Sequence, residues 1–225
     1  MTIVIGKFLL IIVISYLIGA IPFGKIVAKR MGKVDITEHG SGNIGSTNVL
    51  RTIGTKAGLL VLFLDVLKGF TAVMLSRVII GDGVIMTSPY PIGLEDVGHV
   101  VAAMTVMAGH NWSIYIKFRG GKGVAAYFGG WLAMDPISVA FGFIILVCVV
   151  AITRHMSRGS ILAALGILIL QMLLIVFHGT PPIYLLYSLL AAIVIIVQHR
   201  RNIQRLRQGT ELKIDLGEKV KKLDS

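Results

Sequence analysis

Charge is scarce in this 225-residue chain, and cysteine is nearly absent. Charged residues make up 15% of the sequence and hydrophobic ones 55%, with a mean hydropathy of +0.84. A soluble domain usually carries about 25% charge. Too few polar side chains are therefore present to coat a water-soluble globule, and a disordered chain is excluded on the same ground. The single cysteine, Cys148, lies in an apolar run. That leaves no intrachain disulfide framework and no thiolate metal site. His39, His99, His155 and His178 lack metal-ligand spacing, and no H-E-x-x-H occurs, so no metal or other cofactor is expected. A G-x-S-x-G nucleophile elbow is missing. So is the paired acidic cluster that would hold divalent ions for phosphoryl transfer.

What the chain has instead is apolar length. Seven runs stand out, at 8–28, 58–80, 97–108, 124–133, 137–153, 160–177 and 183–197. The first is too long for the apolar core of a signal peptide, and only Lys7 precedes it. The third and fourth are too short to cross hydrocarbon as helix, since about 12 residues rise only about 18 Å. Non-helical backbone at that depth must be buried or line a wet cavity, so a polar vestibule bordered by 109–123 is expected.

The net charge of +11 falls in alternate connections. Lys29, Arg30, Lys33, Arg51 and Lys56 follow the first run, and Lys117, Arg119 and Lys122 the third. Arg154 and Arg158 follow the fifth, and Arg200, Arg201, Arg205 and Arg207 the seventh. The intervening connections carry no Lys or Arg. Basic loops stay cytoplasmic. The expected architecture is an all-α integral membrane protein of seven transmembrane helices, N-terminus outside and C-terminus cytoplasmic. It forms a single polytopic domain over 1–225, with a basic tail at 199–225.

Three polar segments then fall on the cytoplasmic side. The first, 40–51, combines Gly40, Gly42 and Gly45 with Ser41, Asn43, Thr47, Asn48 and Arg51. Glycines allow tight turns with converging N–H groups, and neutral donors beside a guanidinium suit a phosphate. The G-x-G-x-x-G spacing here is not a dinucleotide site: no strand precedes it, and Asp65 lies inside an apolar run. The second, 109–124, places Lys122 among Gly120, Gly121 and Gly123 at a helix start, a setting that favours an anion. It fails the P-loop pattern at Ile116 and Gly123. Lys117 and Arg119 are expected only to mark the cytoplasmic side. The third, 199–213, puts His199, Asn202 and Leu206 on one helical face, with the four arginines facing lipid heads or water. Asp65 and Lys68, at i and i+3, are expected to pair. Ser160 has the position of an N-cap.

A pocket of phosphate binders without an activated nucleophile fits transfer from a donor that is already activated. An acyl phosphate, a mixed anhydride, meets that need. The blocks 40–51, 109–125 and 199–213, in this order, resemble the three signature blocks of the bacterial acyl-phosphate:glycerol-3-phosphate acyltransferase family, PlsY. The resemblance covers nearly the whole chain. It implies an inner-membrane enzyme with its site facing the cytoplasm. This enzyme would acylate the 1-hydroxyl of sn-glycerol 3-phosphate with acyl phosphate, giving lysophosphatidic acid and inorganic phosphate without a covalent acyl-enzyme. Its expected partners are the two substrates and membrane lipids, with neither nucleic acid nor metal. Carried over by position, the site comprises Ser41, Asn43, Arg51, Lys122, Ser160, His199, Asn202 and Glu211. The phosphates are expected on Ser41, Arg51, Lys122 and Ser160, and glycerol phosphate on His199 and Asn202. Glu211 either holds the tail or meets the acceptor hydroxyls. The proton goes to a donor phosphate oxygen or to His199. Ser113 stands where the family usually has proline, so a looser turn is expected there, and Ser46 replaces an alanine. A transporter for a phosphorylated metabolite is the alternative, but the internal repeats it predicts are not seen.

Overall fold

The computed structural model describes residues 2–81, 83–86 and 92–214. Ten α-helices follow in order among these: α1 (Thr2–Ala20), α2 (Phe23–Val27), α3 (Ser46–Thr52), α4 (Thr55–Ile80), α5 (Leu94–Asn111), α6 (Val124–Met134), α7 (Pro136–Thr153), α8 (Met156–His178), α9 (Ile183–Gln198) and α10 (Arg200–Arg207). Besides helix there is one small antiparallel hairpin, β1 (Val84–Met86) with β2 (Ile92–Gly93), before α5.

Each of the seven apolar runs is helical, with instructive differences at the ends. The first run is not continuous. The helix lets go at Ile21 and Pro22, because proline has no N–H to donate back. It resumes as α2 and a π-turn over Ala28–Gly32. The third run is longer than expected. α5 has 18 residues, or about 27 Å, because Glu95, Asp96, His110 and Asn111 extend the helix past the apolar run while masking its hydropathy. α6 remains short at 11 residues. The sixth run begins earlier than expected, at Met156, with His155 in the N-cap position. Ser160 is therefore inside α8 and is not a cap.

Among the described residues, four helices can cross a membrane by length and composition: Thr2–Gly32, Thr55–Ile80, Pro136–Thr153 and Met156–His178. α9 and α10, bent by 57° to each other, make a fifth if taken together. Their outward faces are apolar, with Ile3, Leu9, Phe63, Phe143, Ile144, Ile169 and Phe177 all exposed, a surface suited to lipid rather than water. The connection 81–96, which lacks Lys and Arg, includes residues 82 and 87–91, outside the described residues. The tail beyond 214 lies outside them too.

Close helix approach rests on small residues. A Cβ on Gly19 would strike the Val106 backbone, and one on Gly109 the Tyr16 carbonyl, so α1 and α5 touch backbone to backbone. Gly69 against Ala126 and Gly129 against Val66 do the same for α4 and α6. Such contacts replace the hydrophobic effect, which is weak between helices in lipid. Tyr127, Phe128, Trp131, Tyr184 and Tyr187 form an aromatic core between α6 and α9, with Trp131 and Tyr187 ring centroids 5.1 Å apart. At the opposite end from the polar loops, Asp135 caps α7 by accepting from Ile137 N (3.1 Å) and from Ser138 Oγ (2.6 Å). Gln171 Nε2 of α8 donates to the same carboxylate at 2.9 Å. These contacts fix the α6–α7–α8 junction that carries the far wall of the site.

Candidate active site

The three polar segments do meet. The first is built around Asn48, and this corrects its expected role as a ligand donor. Asn48 is buried. Its Nδ2 donates to the carbonyls of Ile36, His39 and Asn43, and its Oδ1 accepts from Ser41 N at 2.8 Å. Asn43 Oδ1 likewise accepts from Gly45 N at 2.8 Å, and Gly42 N donates to His39 O. The Ser41, Gly42 and Gly45 N–H groups, expected to converge on an anion, are therefore used within the loop. What faces outward is side chain: the Ser41 hydroxyl, the Asn43 amide and Arg51. A short 3-10 turn leads into the loop at Asp35, whose carboxyl is lowered to about 2 by the Thr37 hydroxyl and by Lys25 at 3.0 Å. Gly40 has φ +59, and a Cβ there would meet Asn48 Oδ1. Gly40→Ala is thus expected to lose about 1–3 kcal/mol locally and to raise KM for a phosphorylated ligand with little change in global melting. Comparing a detergent melt with steady-state kinetics checks this.

The second segment doubles back on α5. Gly120 N donates to Asn111 O (3.1 Å) and Gly121 N to His110 O (3.0 Å). The glycines are needed for space more than for exposed N–H groups. A Cβ on Gly120 would enter the His110 carbonyl, and one on Gly121 the His110 ring. Gly123, at φ +80, turns the chain into α6. The turn at Ser113 is not loose: its hydroxyl donates to Ala20 O, tying this segment to α1. Lys122 is left pointing inward, its Nζ 2.6 Å from Asn202 Oδ1.

The third segment begins at the joint between α9 and α10. His199 and Asn202 are 2% and 6% exposed. His199 Nδ1 donates to Ile195 O at 2.8 Å, which assigns the proton to Nδ1 and leaves Nε2 as an acceptor. Burial first, and then the Lys122 charge, hold this histidine down at about 4. Glu211 accepts from Asn202 Nδ2, from Ser157 Oγ (2.9 Å) and from Arg205 Nε (2.8 Å). Burial opposes its charge, but these three bonds pull its carboxyl below the usual range. Of its two expected roles, the contacts match the one that holds the tail. Leu212 O also accepts from Arg51 Nη2 at 2.9 Å, so the tail spans all three segments.

Two cavities meet at this junction. The outer one, about 760 Å³, is polar and cationic. Besides Ser41, Asn43 and Lys122 it is lined by Arg119, Arg200, Arg201 and Arg205. All four lie at its rim: Arg119, Arg200 and Arg201 are exposed, as expected, and Arg205 is half-buried against Glu211. The inner cavity, about 300 Å³, is largely apolar. Leu59, Leu62, Val66, Phe128, Val139, Phe143 and Leu146 form its wall, and Arg51, Ser160, His199 and Glu211 stand at its polar end. Ser41, Asn43, Lys122 and Asn202 line both. Gly42, Gly120 and Gly121 border the outer cavity and Gly123 the inner, while Gly40 borders neither. Lys122 is lowered to about 8, mainly by burial. Sequence reasoning assigned none of His110, Asp65 and Ser157 to the site, expecting Asp65 only to pair with Lys68; His110 and Asp65 line the inner cavity, as does Ser157. A histidine beside Asn111 at a helix end was a usable signal; for Ser157, bonded to a carboxylate 54 residues away, there was none.

This arrangement has counterparts. The family model described as Glycerol-3-phosphate acyltransferase matches residues 9–209. Glycerol-3-phosphate acyltransferase 3 of Dehalococcoides mccartyi is 41% identical over 94% of this chain and 97% of its own. Glycerol-3-phosphate acyltransferase 2 of Moorella thermoacetica is 42% identical over 92% and 97%. Two crystal structures of PlsY, an integral membrane glycerol 3-phosphate acyltransferase, align as well. The glycerol 3-phosphate form does so with TM-score 0.77 at 32% identity, covering 92% of this chain and 96% of that one. The lysophosphatidic acid form gives 0.74 at 33%, covering 92% and 95%. With a family model matched over residues 9–209, relatives of matching length and a matching helical fold, the chain belongs to the PlsY family of integral membrane glycerol-3-phosphate acyltransferases.

Proposed function

We propose that this protein transfers an acyl group from acyl phosphate to the 1-hydroxyl of sn-glycerol 3-phosphate, without a covalent acyl-enzyme. The observation that carries this reading is the junction of a cationic cavity with an apolar one at Ser41, Asn43, Lys122 and Asn202. A water-soluble phosphate ester suits the first, and an acyl tail the second. The related PlsY was crystallised in a glycerol 3-phosphate form and a lysophosphatidic acid form, and these two compounds are the acceptor and product of this reaction.

In this reading Arg51, Lys122, Ser41 and Ser160 hold the phosphates, while His199 and Asn202 orient the acceptor hydroxyl. The hydroxyl oxygen attacks the acyl carbon, the bond from that carbon to the phosphate oxygen breaks, and inorganic phosphate leaves carrying the hydroxyl proton. A phosphate oxygen, with a second pKa near 6 in phosphate esters, is a better proton acceptor than His199 held near 4. That favours proton transfer within the substrate pair, with His199 Nε2 orienting the hydroxyl. Lys122 supplies charge only while protonated. As pH rises through about 8 it neutralises, so kcat/KM is expected to fall on the alkaline side. Lys122→Arg should move that limb beyond the measurable range, because arginine stays charged. A pH–rate profile of both proteins checks this.

The topology belongs to the same proposal: seven spans, N-terminus outside, C-terminus and site cytoplasmic, in the inner membrane. The basic connections support it. The test joins both parts. Purified protein should convert palmitoyl phosphate and labelled glycerol 3-phosphate into lysophosphatidic acid and equimolar phosphate. Single cysteines at Ser41, Lys117 and Gln208, in a Cys148→Ser background, should react with impermeant thiol reagents only from the cytoplasmic side. Release of free fatty acid in place of lysophosphatidic acid, or labelling from the periplasm, would refute it.

A further inference from the structure

Three ionisable side chains outside the reacting groups lie together inside the helical bundle. Asp65, Lys68 and His110 are 2%, 3% and 4% exposed. Lys68 Nζ is 2.7 Å from Asp65 Oδ1 and 2.7 Å from His110 Nδ1, and His110 Nδ1 is 3.6 Å from Asp65 Oδ1. An ammonium has only donors, so His110 Nδ1 is an acceptor and its ring proton is on Nε2. A buried ion pair is weak grounds for stability, since an apolar pair of similar size often folds as well or better. Self-neutralisation therefore explains the pairing of Asp65 with Lys68 but not the rest of the cluster.

The rest of the cluster reaches both phosphate-facing loops. His110 is one support of the second loop. Its carbonyl accepts from Gly121 N, and its ring occupies the space where a Gly121 Cβ would be. Lys122 follows directly. In the other direction, Lys68 Nζ donates to Ile21 O at 3.3 Å and sits 5.7 Å from the Phe23 ring centroid, at the break between α1 and α2. One turn on, Gly24 packs so tightly on the Ile44 carbonyl that no Cβ fits. Ile44 belongs to the first loop, between Asn43 and Gly45.

We propose that Asp65, Lys68 and His110 form a positioning triad that sets the two phosphate-facing loops in register with each other. Asp65 holds the Lys68 ammonium. Lys68 then grips the α1–α2 break on one side and His110 on the other, and each of these carries one loop. The triad acts through the loops and is not itself a set of catalytic residues.

The test uses the full-length protein and two variants. Asp65→Leu with Lys68→Met removes the charges as a pair. His110→Asn keeps an acceptor for Lys68 but removes the ring edge under Gly121. Amide hydrogen exchange is read at Gly120 and Gly121 and at Ser41 and Gly42, with α7 and α8 as internal references. The double variant should exchange about tenfold faster at both pairs of amides. His110→Asn should do so at Gly120 and Gly121 only, with Ser41 and Gly42 within about twofold of the parent. In the acyl-transfer assay both variants should raise KM for glycerol 3-phosphate about tenfold with kcat within about threefold, the pattern of lost ground-state positioning. Unchanged protection at all four amides in a folded double variant would overturn the proposal. So would a fall in kcat with protection and KM intact, which would put the triad at the reacting atoms. If the double variant does not fold, His110→Asn decides: unchanged exchange at Gly120 and Gly121 refutes the triad. The kinetic arm rests on the proposed acyl transfer, and the exchange arm needs no substrate, so failure of one reading is distinguishable from failure of the other.

Discussion

Arg51→Ala is expected to lower kcat/KM by about a thousandfold. The guanidinium stands on the last turn of α3, half-buried at the polar end of the inner cavity. Its Nη2 donates to the Leu212 carbonyl, which fixes the plane of the fork toward the site. Two charge-assisted hydrogen bonds to a phosphate, at about 1.5–3 kcal/mol each, give about 4 kcal/mol, and each 1.36 kcal/mol is tenfold in rate. Arg51→Lys should recover only part of the loss, since a point charge cannot reproduce a planar fork. Arg207→Ala, at the exposed end of α10, should stay within about twofold, as surface charges away from a site contribute little. Steady-state kinetics on the three purified variants, with melting curves to confirm folding, read this out. An Arg51→Ala protein within about threefold of the parent would remove Arg51 from the site.

Lys122→Ala should be comparably severe, for a different reason. Lys122 borders both cavities, and in the proposed reaction its ammonium would serve donor and acceptor phosphates together. It also donates to Asn202 Oδ1, and Asn202 Nδ2 in turn donates to Glu211. Loss of the ammonium removes charge at the junction and releases one end of that chain. A fixed donor facing charge that develops in the transition state is worth about 10²–10³ in kcat, and the lost orientation of Asn202 adds to it. The effect should therefore appear in kcat as well as KM, unlike the KM-dominated effect expected for the triad variants. Lys122→Met, which keeps the length of the side chain, separates charge from packing; it should be as poor as alanine.

How far the sequence carried the reading depended on whether a residue acts through its own neighbours or through distant ones. The apolar runs located every long helix, because in a membrane protein length and hydropathy report directly on burial. The runs failed at α5, where Asp96 accepts from Gly93 N and from Tyr184, and His110 is held by Lys68. Polar residues satisfied inside a bundle look like loop in the sequence. In the first polar segment the glycine spacing correctly marked a tight loop. That Asn48 is its scaffold follows from contacts up to 12 residues away and was not legible. The eight side chains carried over by resemblance all line the inner cavity. That Arg200, Arg201 and Arg205 also border the outer cavity depends on the 57° bend between α9 and α10, which helical spacing does not show.

The central claim is that donor and acceptor are held together, at the junction of the two cavities, when the acyl group moves. Initial velocities with palmitoyl phosphate and glycerol 3-phosphate varied against each other test it most directly. Intersecting double-reciprocal lines are expected, with no phosphate burst when the donor is supplied alone and no acyl group on acid-quenched protein. Parallel lines with a stoichiometric burst and labelled protein would show that the acyl group leaves the donor before the acceptor arrives, and would contradict the account.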